Sequence, residues 1–153
     1  MLSTSRGRVI FSCDTAGHTA GYHVVARALR DAGFEVIMTG SVLPAQAVEM
    51  AAQEDAALLA FRIMDRDPIE LTETLLAEQE ARHCRDIPVM VGGIIGRIEA
   101  EKLRAMGIVG VFTPGAKLGD IIACAREACD ARGVATTEAS DRLGRQSKGD
   151  GRA

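Results

Sequence analysis

Short apolar runs alternate with amphipathic stretches along most of the chain, and this alternation is the strongest structural signal in the sequence. Five of the apolar runs have the length and the aliphatic composition of buried strands. They are RVIFS (8–12), FEVIMTG (34–40), ALLAFRI (57–63), IPVMVGG (87–93) and IVGVF (108–112). Each run is followed by a segment with helical spacing of apolar residues, so the pattern predicts five consecutive strand–helix units.

Capping and turn residues mark the ends of the predicted helices. The first helix is predicted over 19–33, where Gly33 closes it, and Pro44 opens the second helix because proline suits a first helical position. Asp67 followed by proline predicts the start of the third and longest of these helices. The fourth is predicted over 97–107, and the last begins near Lys117.

A strand–helix series of this kind predicts an α/β fold, because right-handed crossovers lay successive strands parallel to one another. We expect a flavodoxin-like (Rossmann-like) doubly wound sheet of five parallel strands in the order 2-1-3-4-5. Ligands of such sheets bind outside the carboxyl ends of the strands, at the point where the strand order reverses. The loops at that edge are 13–21, 62–67, 92–97 and 113–117.

Composition narrows the class of protein without naming a function. A chain of 153 residues with 47% hydrophobic content predicts one domain, over 1–133, followed by a polar tail over 134–153 that we expect to be disordered. A net charge of −3 predicts neither nucleic acid nor a membrane as partner. The first residues do not have the pattern of a secretory signal, and the sequence has no apolar run of membrane length and no CxxC pair, so we expect a cytoplasmic protein.

The loop CDTAGHTAG, residues 13–21, holds the first candidate for chemistry. Small residues surround His18 and would let a bulky planar ligand approach the backbone. A neutral imidazole there can coordinate a transition metal from below a cofactor ring. The alternative is that the glycines serve the turn and the histidine is merely exposed. Asp14 either orients the histidine or caps a turn.

Two further glycine-bearing loops fall at the same predicted edge. Gly92 and Gly93 end the fourth strand, and FTPGAK (112–117) follows the fifth. Either loop geometry or close approach of a ligand explains such glycines. The sequence has no GxGxxG after the first strand, no GxxxxGK[ST] and no GxSxG, so neither a dinucleotide site, a P-loop nor a hydrolase elbow is supported.

Together these motifs resemble the cobalamin-binding domain of methylmalonyl-CoA mutase and the small subunits of adenosylcobalamin-dependent acyl-CoA mutases. The resemblance covers about residues 7–130. In that family a DxHxxG loop follows the first strand, and its histidine is the lower ligand of cobalt. The segment AGHTAG supplies His18 and Gly21, VMVGG is similar to the family's VVVGG, and GIVGVFTPGAKL is similar to its last strand and GPGT loop.

The resemblance implies adenosylcobalamin as cofactor, His18 as metal ligand, and no catalytic residue in this chain. It also implies a set of residues from the loops at the predicted edge that contact the cofactor. They are Thr15, Ala16, Gly17, His18, Thr19, Gly21, Phe61, Arg62, Ile63, Gly92, Gly93, Thr113, Pro114 and Gly115.

The chain departs from the family pattern at two places. Ala16 stands where the aspartate of DxHxxG hydrogen-bonds the ligating histidine, which predicts a weaker bond to cobalt unless Asp14 reaches across. Phe61, Arg62 and Ile63 stand where the family has Ser-x-Leu. The family's serine hydrogen-bonds the base of the nucleotide tail, and we expect Phe61 to fill space in the channel for that tail.

Three functional hypotheses remain open from the sequence. The first is a non-catalytic, cobalamin-binding subunit of an isomerase, which positions adenosylcobalamin for a large catalytic subunit that contains the substrate barrel. The second is a degenerate domain that has lost the cofactor and acts as a structural or regulatory subunit. The third is a receiver-like phospho-acceptor, which lacks the expected acidic cluster because Asp14 stands nearly alone after the first strand.

Overall fold

A computed structural model describes residues 5–147, with the side chains of residues 5–133. Strands and helices alternate throughout, as the apolar pattern predicted. The elements are β1 (Arg8–Cys13), α1 (Ala20–Asp31), β2 (Glu35–Ser41), α2 (Pro44–Gln53), β3 (Leu58–Ile63), α3 (Pro68–Ala81), β4 (Val89–Gly93), α4 (Arg97–Ala105), β5 (Gly110–Phe112) and α5 (Leu118–Ser147).

The five strands form one parallel sheet in the order β2-β1-β3-β4-β5, which confirms the predicted topology. Apart from the end of α5, the element ends differ from the predicted ones by only one or two residues. The order reverses between β1 and β3, so the carboxyl ends of these two strands flank the switch point.

Helices cover both faces of the sheet, and successive strand residues are divided between two hydrophobic cores. One core joins α1 and α5 to the strand residues Val9, Phe11, Leu58, Ala60 and Met90. The other joins α2, α3 and α4 to Ile10, Leu59, Phe61, Val89 and Val91. The strict alternation follows from strand geometry, because neighbouring side chains point to opposite faces. Which of the two faces a residue points to therefore decides whether it can reach a given site.

Tyr22 fastens the start of α1 to the ends of β1 and β2. Its hydroxyl donates to the Phe11 carbonyl and accepts from the Gly40 N–H at 3.2 Å, and its ring centroid lies 4.4 Å from that of Phe11. Pairing of β1 with β2 shifts register just after Phe11, where Thr39 is the extra residue and donates to the Ser12 hydroxyl at 2.7 Å. These contacts fix the point at which the chain leaves β1.

The ends of two helices bear on the sequence-based expectations. Asp67 caps α3 by accepting the Ile69 and Glu70 N–H groups at 2.9 and 3.0 Å, as predicted. Helix α5 continues past Gly133, the predicted end of the domain, to Ser147. That stretch of sequence contains no proline to end a helix. Residues 148–153 of the predicted tail lie outside the described residues, and disorder of the tail in solution stays a prediction.

No helix in the part of the chain that the structure describes combines the length and apolar character needed to cross a bilayer.

Tyr22 is the only tyrosine of the chain, so its ionisation can be followed by ultraviolet absorbance. Burial raises the pKa of its phenol above the ordinary value of 10. The folded state therefore favours the neutral phenol, and the resulting stability is present below pH 10 and is lost as pH rises through the folded pKa. We expect the tyrosinate absorbance of the native protein to appear at higher pH than that of the urea-unfolded chain.

Replacement of this tyrosine by phenylalanine gives a second measure of the same contact. Tyr22→Phe leaves the Phe11 carbonyl and the Gly40 N–H without the shared hydroxyl, so urea unfolding at pH 7 should show a loss of about 1–2 kcal/mol. A variant as stable as the parent protein would show that the hydroxyl contributes nothing at this junction.

Candidate functional site

An open cavity of about 260 Å³ lies at the carboxyl edge of the sheet, on the face that α1 and α5 cover. Its floor consists of strand residues that point to this face, Phe11, Ala60 and Met90, and Val25 of α1 and Ile121 of α5 also line it. The surface is mostly apolar, with backbone groups at the rim. The cavity therefore suits a flat or apolar group that enters from the edge where the loops are.

The His18 loop stands beside this cavity, between β1 and α1. His18 is exposed and has a φ of 52°, a left-handed conformation that histidine adopts more readily than most residues. The loop before it is a tight turn in which the Gly17 N–H donates to the Thr15 hydroxyl at 3.3 Å. In the part of the chain that the structure describes, no group of three histidine, cysteine or acidic side chains converges as a metal site.

Asp14 does not support His18, although it lies only four residues before it. Its carboxylate accepts the backbone N–H groups of Met64, Asp65 and Arg66, each at 2.9 Å. These three charge-assisted bonds hold the carboxylate towards the loop after β3. Asp14 instead joins its own loop to the loop between β3 and α3, a role that neither the turn nor the orienting interpretation included.

Arg62 makes a second connection between the same two loops. Its guanidinium donates through Nη1 to the His18 carbonyl oxygen. Nη2 lies 3.5 Å from the position that a Cβ would take at Gly21, so the side chain passes close over the start of α1. The Arg62 carbonyl in turn accepts the Asp14 N–H at 3.1 Å. Arg62 thus crosses from the end of β3 to the backbone of the His18 loop.

The expectation that Phe61 fills the channel for the nucleotide tail stays a prediction, and the position of its side chain does not favour it. Its side chain is 1% exposed and packs in the core under α2, α3 and α4, together with Ile63. Because side chains alternate along a strand, Ala60 and Arg62 are the β3 residues on the cavity's face. Phe61 therefore borders the cavity from the opposite core, whereas Arg62 lines it from the cavity's own face.

Gly93 is required by packing of the sheet itself. A Cβ on Gly93 would lie 2.0 Å from the Ile63 carbonyl oxygen, and its φ of 128° is open only to glycine. At Gly92 a Cβ would lie 3.3 Å from the Phe112 carbonyl oxygen. Of the two explanations left open for these glycines, the close approach of a neighbouring strand accounts for Gly93, while Gly92 also faces the cavity.

The structure brings together eight of the fourteen predicted site residues as the lining of one cavity. These are Gly21, Phe61, Arg62, Gly92, Gly93, Thr113, Pro114 and Gly115. Five others, Thr15, Ala16, Gly17, His18 and Thr19, form the adjacent loop, and Ile63 lies in the opposite core. Sequence reasoning missed the apolar floor and walls, Phe11, Val25, Ala60, Met90, Val91, Phe112, Ala116 and Ile121. Alternation along the strands was the signal for several of them.

The family model of the B12 binding domain matches residues 9–122, most of the chain described above. This chain belongs to the B12-binding domain family. Cobalamin is accordingly its cofactor, and the interpretation as a domain that has lost the cofactor is not favoured.

Relatives with known activities fall into two size classes. The chain is 34% identical over 110 residues to the pivalyl-CoA mutase small subunit of Xanthobacter autotrophicus. The aligned region covers 71% of this chain and 73% of the relative. It is 32% identical over 119 residues to the 2-hydroxyisobutanoyl-CoA mutase small subunit of Aquincola tertiaricarbonis. That aligned region covers 77% of this chain and 88% of the relative. Ethylmalonyl-CoA mutase of Cereibacter sphaeroides is 38% identical over 99 residues, yet the chain spans only 15% of its length.

Solved structures with this fold include signal receiver domains. That of NarL from Mycobacterium tuberculosis superposes with a TM-score of 0.61 at 16% identity and covers 83% of this chain and 98% of its own. The receiver domain of the putative Luxo repressor protein from Vibrio parahaemolyticus superposes with a TM-score of 0.65 at 11% identity. The superposition covers 86% of this chain and 96% of that one. At these identities the likeness shows the flavodoxin-like fold alone.

Gly93→Ala and Gly115→Ala separate steric contact from backbone conformation at this edge. Both glycines have positive φ, but a Cβ at Gly115 meets nothing within 4 Å. Gly115→Ala should therefore cost about 1 kcal/mol of unfolding free energy, and Gly93→Ala about 3 kcal/mol or more because the Ile63 carbonyl must move. Urea denaturation measures both, and equal losses would contradict the steric argument.

Proposed function

We propose that this chain binds adenosylcobalamin with His18 as the protein ligand to cobalt, and presents the cofactor to a large catalytic subunit of an acyl-CoA mutase. The observation that carries the proposal is the position of His18. It is the exposed imidazole of the loop that adjoins the apolar cavity, at the carboxyl edge of the sheet. Family membership supplies the cofactor, and the small-subunit relatives supply the reaction class.

The residues present fit cobalamin by their chemistry. Four ligands of cobalt belong to the corrin ring, so one protein nitrogen is the appropriate donor set, and His18 supplies it. The mostly apolar cavity with a backbone rim suits the flat base of the nucleotide tail. Glycine at position 21 leaves that rim without a side chain beside Arg62. Bound adenosylcobalamin supplies the radical chemistry, and this chain contributes binding, orientation and exclusion of water.

Two departures from the family pattern, Ala16 and Phe61, would favour loss of the cofactor. Phe61 packs in the opposite core and does not block the cavity's face. Only Ala16 remains as a departure at the metal ligand itself. Retained binding with altered support of the histidine is therefore the function that we propose.

The partner surface is the carboxyl edge of the sheet. Ile94, directly after β4, is 62% exposed, and Ile98, in the first turn of α4, is 70% exposed. Exposed aliphatic side chains at the edge where the cofactor binds are suited to cover by a second protein. We infer that this second protein is a large subunit whose substrate barrel encloses the acyl-CoA, since the curated relatives of similar length are named small subunits.

The cysteines are free thiols, which agrees with a cytoplasmic location.

Titration of the purified protein with adenosylcobalamin and with hydroxocobalamin tests the metal ligand. The expected result is a visible spectrum in which the nucleotide base has left cobalt and an imidazole has replaced it. His18→Ala should remove the imidazole signature, because no other described histidine lies in this loop. His23→Ala, on the exposed side of α1, is the matched control and should leave the spectrum unchanged. Identical spectra for the parent protein and His18→Ala would refute ligation.

Ala16→Asp tests whether the departure from DxHxxG weakens the bond to cobalt. A carboxylate at this position can accept the second ring N–H of His18 and orient the imidazole, so cobalamin affinity should rise by about tenfold. Ala20→Asp adds the same charge at the first residue of α1 and serves as the control. Equal changes in both variants would show that charge alone, rather than contact with the histidine, alters binding.

A further inference from the structure

We propose that Arg62 is a positioning residue for His18, holding the histidine through its backbone where the family's aspartate would hold its ring. This inference rests on the proposed function, because it concerns the same metal ligand. It assigns a task to the side chain at the end of β3, which the resemblance to the family left as an unexplained departure.

Arg62 contacts the backbone of His18 through its guanidinium. The guanidinium donates to the His18 carbonyl oxygen. None of the ion pairs among the described residues involves Arg62, so no carboxylate competes for its donors there. A hydrogen bond from a charged donor to a carbonyl is stronger than a neutral one. An arginine fixed in this way loses rotamer freedom, which that bond must offset.

Fixing the backbone of His18 also restricts its ring. A φ of 52° sets the direction of the bond from Cα to Cβ, and the anchored carbonyl limits rotation of the following peptide. Only the two side-chain torsions of the imidazole then remain free. An aspartate at position 16 would restrict those torsions, whereas Arg62 restricts the frame from which they start. The two devices act on the same histidine at different bonds.

Asp14 and Arg62 hold opposite ends of the same loop. The Asp14 carboxylate fixes the start of the loop through the three backbone donors of residues 64–66, and Arg62 fixes its end at His18. Asp14 thus bonds to the loop after β3, whereas Arg62 bonds directly to the backbone of the predicted metal ligand.

Arg62→Met tests this role, because methionine is similar in length and lacks a donor. In the protein without cofactor, amide hydrogen exchange of the peptide covering 14–21 should rise by about fivefold, the loss expected for one partly exposed charged hydrogen bond. With added hydroxocobalamin, the fraction with imidazole on cobalt should fall and the dissociation constant should rise by a similar factor. Arg66→Met removes an equal charge from the neighbouring loop and should change neither quantity.

Two further substitutions of Arg62 test whether its charge or its bulk matters. Arg62→Lys should restore part of the imidazole signature, because an ammonium can donate to the same carbonyl. Arg62→Ala opens the cavity. If the arginine only obstructed cofactor entry, this variant would bind cobalamin more tightly, and that result would overturn the inference.

The outcomes distinguish this inference from the proposed function. A parent protein that shows no imidazole ligation by His18 overturns both. A parent protein that shows ligation, together with an Arg62→Met variant whose spectrum and exchange are unchanged, overturns the role of Arg62 alone. Loss of ligation in Arg62→Met with recovery in Arg62→Lys supports both.

Discussion

The loop after β1 and the loop after β3 are held together by hydrogen bonds that run in both directions, and the candidate site depends on that junction. The Asp14 carboxylate of the first loop accepts three N–H groups of the second. Arg62, at the end of β3, donates to the His18 carbonyl of the first. A loop that carries an exposed histidine in a left-handed conformation would otherwise be free to move. The junction makes His18, the proposed metal ligand, part of the sheet edge.

The two faces of the sheet differ in how completely their hydrophobic cores are packed. The face under α2, α3 and α4 is filled with aliphatic side chains and with Phe61, and it serves stability. The face under α1 and α5 is also packed near its centre, but it opens into a cavity towards the carboxyl edge. A fold of this kind hosts many unrelated functions, so the architecture by itself does not fix the ligand. Chemistry is therefore set by the residues of the loops.

Two kinds of glycine occur at this edge, and they have different meanings. The Ile63 carbonyl leaves no room for a side chain at Gly93, so this strand spacing requires glycine at that position. Gly21 would tolerate contact with the Arg62 guanidinium at an ordinary van der Waals distance. Its small size instead leaves space between α1 and the cavity. Glycines in a binding motif thus report on packing as much as on ligand approach.

The sequence by itself determined the five strand–helix units, the parallel order of the strands and the loops that meet at one edge, because these depend on local periodicity and on the handedness of crossovers. It also singled out His18 and the glycine-bearing loops. It did not show that the Phe61 side chain packs in the core under α2, α3 and α4, since a shift of one position along a strand exchanges its two faces. Nor did it show that α5 continues to Ser147.

Only the tertiary structure decided the partners of Asp14 and Arg62. These partners lie about 50 and 44 residues away along the chain. Local sequence patterns do not indicate contacts between residues so far apart along the chain. A charged residue before a helix has the same local pattern whether it caps a turn or joins two loops. The contacts that hold the His18 loop therefore follow only from the folded sheet, where the ends of β1 and β3 lie side by side.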